Sequence, residues 1–142
     1  MPPATGERHQ YGCDMNDDEL AAGLSQTPGY RYADVVDERL FVAGQVPLGA
    51  DGGLVGPEDP ARQAVMCLDN LRVLVGVHGF SLDHVRHLTI HVVGAHENLV
   101  SAWDAVTEWF AGDVPPATLL GVHLLGYRGQ LVEIDATVVR GR

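Results

Sequence analysis

Between residues 84 and 93 the chain alternates, with Leu88, Ile90 and Val92 on one side and His87, Thr89 and His91 on the other. A period of two belongs to a strand with one buried face, so a strand is expected over 84–93. A different period precedes it. Ala61, Ala64, Val65, Leu68, Leu71 and Val75 recur every three or four positions behind Asp59 and Pro60. An aspartate able to accept from the first N–H groups, followed by a proline with φ already set, marks a helix start. That helix runs to about Gly79, and Leu99, Trp103, Val106 and Phe110 lay a second apolar stripe over 97–111. Two short β-prone runs, 30–36 and 39–43, meet at the polar pair Asp37-Glu38, and Gly44-Gln45-Val46-Pro47 ends the second. Near the C-terminus, the runs around Thr118 and Glu133 flank Gly126-Tyr127-Arg128-Gly129-Gln130, which reads as the turn of an antiparallel hairpin. The order β-β-α-β-α-β-β describes one α/β (α+β) domain, a mixed sheet with two helices on one face.

Residues 1–28 follow neither period and carry Asp14, Asn16, Asp17, Asp18 and Glu19. They are read as a flexible or loosely docked extension with a short helical turn at 18–24, leaving 29–142 as the folded domain. A chain of 142 residues can bury a core without disulfides or metals. Cys13 and Cys67 suggest no disulfide framework, and Cys67 falls beside the apolar stripe of the first long helix as a core thiol. The first residues have no basic and apolar leader pattern, and no run reaches the roughly 18 apolar residues of a membrane span. A cytoplasmic protein without membrane contact is expected.

Charge narrows the chemistry. The net charge is −10, and all nine basic residues are arginine. Without lysine there is no side-chain Schiff base and no P-loop amine. An acidic chain is also a poor ligand for phosphate backbones, so no nucleic-acid partner is expected. His87 and His91 share a strand face but stand roughly 13 Å apart, too far for one ion. Neither a metal nor a cofactor is expected.

With both helices on one face, the other face of the sheet carries His87, Thr89 and His91 together with Thr118, Leu120 and Glu133. A half-polar, half-apolar face of this kind is buried against another copy of the chain. Folded as a hairpin, the last two strands bring Thr118 near Glu133. A carboxylate in apolar surroundings has a raised pKa, which suits a general acid or base at neutral pH. The plainer readings are a structural carboxylate for Glu133 and a strand filler for Thr118. Thr118 is not assigned as a nucleophile, because the pattern places no histidine to activate it.

Several segments together resemble the Rid family (YjgF-like, reactive intermediate deaminases). They are Leu40-Phe41-Val42-Ala43-Gly44-Gln45-Val46-Pro47, Gln63 with Leu68-Asp69-Asn70, Pro116-Ala117, and Val132-Glu133-Ile134-Asp135-Ala136. The resemblance covers about residues 29–140. It implies a chorismate-mutase-like homotrimer with three ligand clefts between subunits. It also implies that Glu133 orients or activates the water attacking an imine, and that Tyr30 and Gly44 border the cleft. In deaminating members an arginine after the Pro-Ala pair grips the substrate carboxylate; here that position is Thr118. A neutral hydroxyl cannot form the bidentate, charge-assisted pair of an arginine. Losing such a desolvated pair costs about 2–5 kcal/mol. Trp103 stands where an asparagine is common, and Ala43 replaces a serine before Gly44.

Either the substrate lacks a carboxylate at that point or another arginine supplies the charge, Arg31 and Arg128 being the candidates. The first option is favoured, because Trp103 and Leu120 suit a flat or greasy ligand, although core packing is the plainer reading of Trp103. The leading expectation is an enzyme that uses Glu133 on an imine, enamine or activated carbonyl small molecule. Hydrolytic deamination, or cyclisation or tautomerisation in specialised metabolism, would be the outcome. The alternative is a non-catalytic binding or regulatory trimer. The ribonuclease activity attributed to some relatives conflicts with the charge.

Overall fold

The computed structural model describes residues 15–141. Its elements are α1 (Asp17–Ala21), β1 (Ala33–Val36), β2 (Arg39–Val42), α2 (Pro60–Val77), β3 (Val85–Val93), α3 (His96–Trp109), β4 (Ala117–Val122) and β5 (Val132–Val139). A 3-10 turn, Leu82–His84, leads into β3. The five strands form one sheet in the order β1-β2-β5-β3-β4, in which β4 pairs parallel to β3 and the other neighbours are antiparallel.

The helix α2 begins as its sequence dictates. Asp59 accepts from the Arg62 N–H at 3.0 Å, and Pro60 takes the first position, where no amide donor is needed. Ala64, Cys67, Leu68, Leu71 and Val75 are then fully buried, against Leu88, Ile90, Val92, Val132, Ile134 and Val138 of the sheet. Helix α3 covers the same face through Ala102, Ala105 and Val106. Two buried amides on α2 tie down loops. Gln63 donates to the Gly56 and Gly129 carbonyls and accepts from Leu131 N–H, while Asn70 donates to the Val46 and Leu48 carbonyls. Buried backbone carbonyls of irregular segments need such donors, which explains polar side chains on the inner side of a helix.

The expected terminal hairpin does not form. β3 lies between β4 and β5, so Thr118 is opposite Thr89 on one side of β3, and Asp135 is opposite Thr89 on the other. A parallel pair needs a crossover, and α3 provides it between β3 and β4. Thr118 and Glu133 are therefore two strands apart, about 10 Å on strand spacing alone.

Of the segment read as an extension, residues 1–14 lie outside the described residues. Asn16, Glu19, Leu24, Ser25 and Thr27 are buried against the domain. Asn16 donates to Thr27 Oγ1 and to the Tyr30 carbonyl and accepts from Tyr32 N–H. His78 Nε2, just past the end of α2, meets Glu19 Oε2 at 2.5 Å. No described helix is long and apolar enough to cross a membrane.

Candidate functional site

The site begins with an irregularity. β2 pairs with β5 at Leu40↔Val138, and the chain rejoins β5 at Gln45↔Ile134. Five steps along one strand are matched by four along the other (40 to 45 against 138 to 134), so one extra residue bulges out. A bulge of this kind bends the strand and re-aims what lies beside it. Here it brings Gly44 against the outward side chains of β5. A Cβ on Gly44 would collide with Glu133 Oε2 and sit 2.7 Å from Asp135 Oδ1, so a larger residue there would push both carboxylates aside.

Glu133 alternates with the buried Val132 and Ile134 and so projects from the face opposite the helices. It lines a cleft of about 530 Å³ with Pro28, Tyr30, Ala43, Gly44, Val46, Gly126 and Tyr127. Its Oε1 accepts from Gln130 Nε2 at 3.1 Å. Gln130 is itself buried. Its amide also donates to the Val132 carbonyl and accepts from Tyr127 N–H, both at 3.1 Å. One side chain thus fixes both the carboxylate and the loop that carries a cleft tyrosine. Burial pushes the Tyr30 hydroxyl above the usual phenol range, and the neighbouring Tyr127, Tyr32 and Glu133 push it the same way. Tyr30 is a neutral hydrogen-bonding phenol at any physiological pH.

Along the same sheet face, His91 lies opposite Glu133 on β5 and Leu120 on β4. Its Nδ1 lies 3.3 Å from the Glu133 carbonyl and its Nε2 3.9 Å from Asp135 Oδ2. His87 Nε2 is 3.3 Å from Thr118 Oγ1, so a histidine does reach Thr118, contrary to the sequence reading. Periodicity gives the face of each residue but not which strands pair, and only the β3–β4 pairing puts these two side by side. Among the described residues no three His, Cys, Asp or Glu side chains converge as metal ligands would.

The sequence profile of the endoribonuclease L-PSP family matches residues 24–140. The chain belongs to that family, the YjgF/Rid proteins. The 2-iminobutanoate/2-iminopropanoate deaminase of Mus musculus is 27% identical over 112 residues, 79% of this chain and 82% of that protein. A Rid-family protein of unknown function from Yersinia pestis, YyfA, superposes with a TM-score of 0.74 at 25% identity, over 84% of this chain and 94% of its own. The YjgF gene product of E. coli shares the fold with a TM-score of 0.75 at 22% identity, over 84% and 95% of the two chains.

Within one copy of this Rid-family chain, Tyr30, Gly44 and Glu133 meet in a single cleft. Thr118 and Leu120 share the sheet face of Glu133 but lie beyond β3. Trp103 is on the helix side, packed against the core of the opposite face. Arg31 is exposed and stands 3.9 Å from Asp34, and Arg128 is exposed on the turn. The sequence reading missed Pro28, Tyr127 and Gln130. Gln130 is legible only as part of a turn, yet its spacing of three from Glu133 is what lets it reach back to the carboxylate. Cys67 lies under β5, where burial pushes its thiol well above the usual range, and Sγ donates to the Val132 carbonyl at 3.7 Å.

Proposed function

We propose that this Rid-family protein hydrolyses an imine, or processes a related enamine or activated carbonyl compound, with Glu133 as general acid and base. The observation that carries the reading is the Glu133 carboxylate on the wall of the cleft, held through one oxygen by Gln130 and backed by Gly44. Water adds to the imine carbon while Glu133 accepts its proton. That proton passes to nitrogen to give a carbinolamine, and Glu133 then relays the carbinolamine's hydroxyl proton to nitrogen as the C–N bond breaks to leave a carbonyl and ammonia. The deaminase named among the relatives supports this class of reaction.

Thr118 stands where deaminating members resembling this chain carry an arginine, so an archetypal 2-imino acid is not the expected substrate. Assembly as a trimer would bring the polar face around Thr118, Leu120 and His91 against the Glu133 cleft of another copy. The net charge of −10 argues against an RNA substrate, whatever the family is called.

The test generates imines in situ, from 2-aminobutyrate with an amino-acid oxidase and from simple amines with an amine oxidase, and follows ammonia release against semicarbazide trapping. At least one imine should hydrolyse on the order of tenfold faster with protein present, and the Glu133→Gln protein of the same oligomeric size should lose the acceleration. If no imine is accelerated, the enzymatic reading fails and binding alone is left.

A further inference from the structure

We infer that Gln63, on α2, is a positioning residue for Glu133, setting the carboxylate through the intervening Gln130 amide. The inference rests on the reading of Glu133 as the acid and base of this cleft. Gln63 and Gln130 are both buried within one copy, and their partners all belong to that copy. The series of contacts is therefore complete before any assembly.

The first link is Gln63. It has no accessible surface, and its side-chain oxygen accepts from the Leu131 N–H at 2.7 Å. Its nitrogen donates to the Gly129 carbonyl at 3.2 Å and to the Gly56 carbonyl at 3.0 Å. The helix thus holds the peptide groups on both sides of Gln130. The second link is Gln130 itself. Its oxygen accepts from the Tyr127 N–H, and its nitrogen donates to the Val132 carbonyl and to Glu133 Oε1, each at 3.1 Å. Neither amide can be turned over. In both, only the nitrogen can face two oxygen acceptors, and only the oxygen can face an N–H.

A helix that merely pinned a loop could grip it anywhere; this one grips the two peptide groups that flank the residue touching the carboxylate. A backbone rotation there is carried straight into the Gln130 amide. Glu133 stands on the partly open face of β5, where its own side chain has rotamers to choose from. The fixed amide selects among them, and the fixed backbone selects the amide. A constraint set on the helix side of the sheet thereby reaches the opposite face around the start of β5. Precision of this kind matters to a base, since a displacement of about 1 Å can cost about 10²-fold in rate.

The test follows the glutamine side-chain NH2 signals of the full chain by NMR, alongside the same imine assay. The two signals are assigned by their loss in Gln63→Leu and in Gln130→Leu. Gln130 hydrogens should exchange on the order of tenfold more slowly than those of free glutamine, and Gln63→Leu should remove most of that protection. Because coupling is reciprocal, Gln130→Leu should speed exchange at Gln63 about threefold or more. In turnover, Gln63→Leu should lower kcat on the order of tenfold while KM moves less than about twofold. In a Gln130→Leu background the same change should cost less than about twofold, because the path is already cut. Leu71→Ala, equally buried on the same helix, controls for lost stability and should keep kcat per folded molecule.

Should Gln63→Leu not fold, Gln63→Glu keeps the acceptor for the Leu131 N–H and removes only the donor, and the Gln130→Leu arm needs no change at Gln63. Unchanged Gln130 protection and kcat in a folded Gln63 variant overturns the inference. So does a loss that repeats undiminished in the Gln130→Leu background, or exchange at Gln63 that ignores Gln130→Leu. The two readings fail separately. Linked exchange without imine turnover keeps the positioning and removes the chemistry, while turnover indifferent to Gln63 does the reverse.

Discussion

On the helix side of the sheet, Leu88, Ile90, Val92 and Ile134 have no accessible surface; on the other side, His87, Thr89, His91, Glu133 and Asp135 of the same two strands stay partly open. Backbone, strand and neighbours are shared, so the contrast is written by alternation alone. The difference teaches where each kind of residue can stand. Stability is concentrated in a dry layer where every methyl group counts. Carboxylates and imidazoles occupy the other layer, where a single copy leaves them partly open.

The comparison can be broken most forcefully from the dry side. Ile134→Ala should cost about 2–5 kcal/mol in urea unfolding, since it empties a fully buried position between α2 and the sheet. Any imine turnover per folded molecule should persist. One residue earlier, Glu133→Gln should do the opposite: turnover falls about 10²-fold while the unfolding midpoint moves little. If Ile134→Ala abolished turnover in the folded fraction, or Glu133→Gln unfolded the chain, the two faces would not be separable.

Gln130→Leu should lie between these. It strands the Tyr127 N–H and frees Glu133, so about 1–3 kcal/mol of stability and much of the turnover should go together. A loss of stability with turnover and its pH profile unchanged would confine Gln130 to the loop. The smallest effect is expected at Thr118→Ala, where an exposed hydroxyl loses one contact to His87; unfolding should move by less than about 0.5 kcal/mol.

The elements themselves are legible in the sequence. Asp59-Pro60 and the three-four spacing set α2, and alternation sets β3 and names its buried side correctly. What the pattern cannot carry is pairing. A strand's own residues specify a face, whereas its neighbour in the sheet depends on the crossover, and β3 inserts between the two strands that read as a hairpin. For that reason the hairpin reading puts Thr118 beside Glu133, when it sits beside His87. The cleft is half legible. Glu133, Gly44 and Tyr30 come from the motifs, but Tyr127 and Gln130 are brought to the carboxylate by a loop whose path Gln63 sets from a different helix.

Asn16 carries a practical lesson for anyone shortening this gene. Its amide braces the Tyr30 carbonyl and the Tyr32 N–H from fourteen and sixteen positions upstream in the sequence. A start codon moved past it would spare all five strands and still leave one wall of the cleft without its anchor.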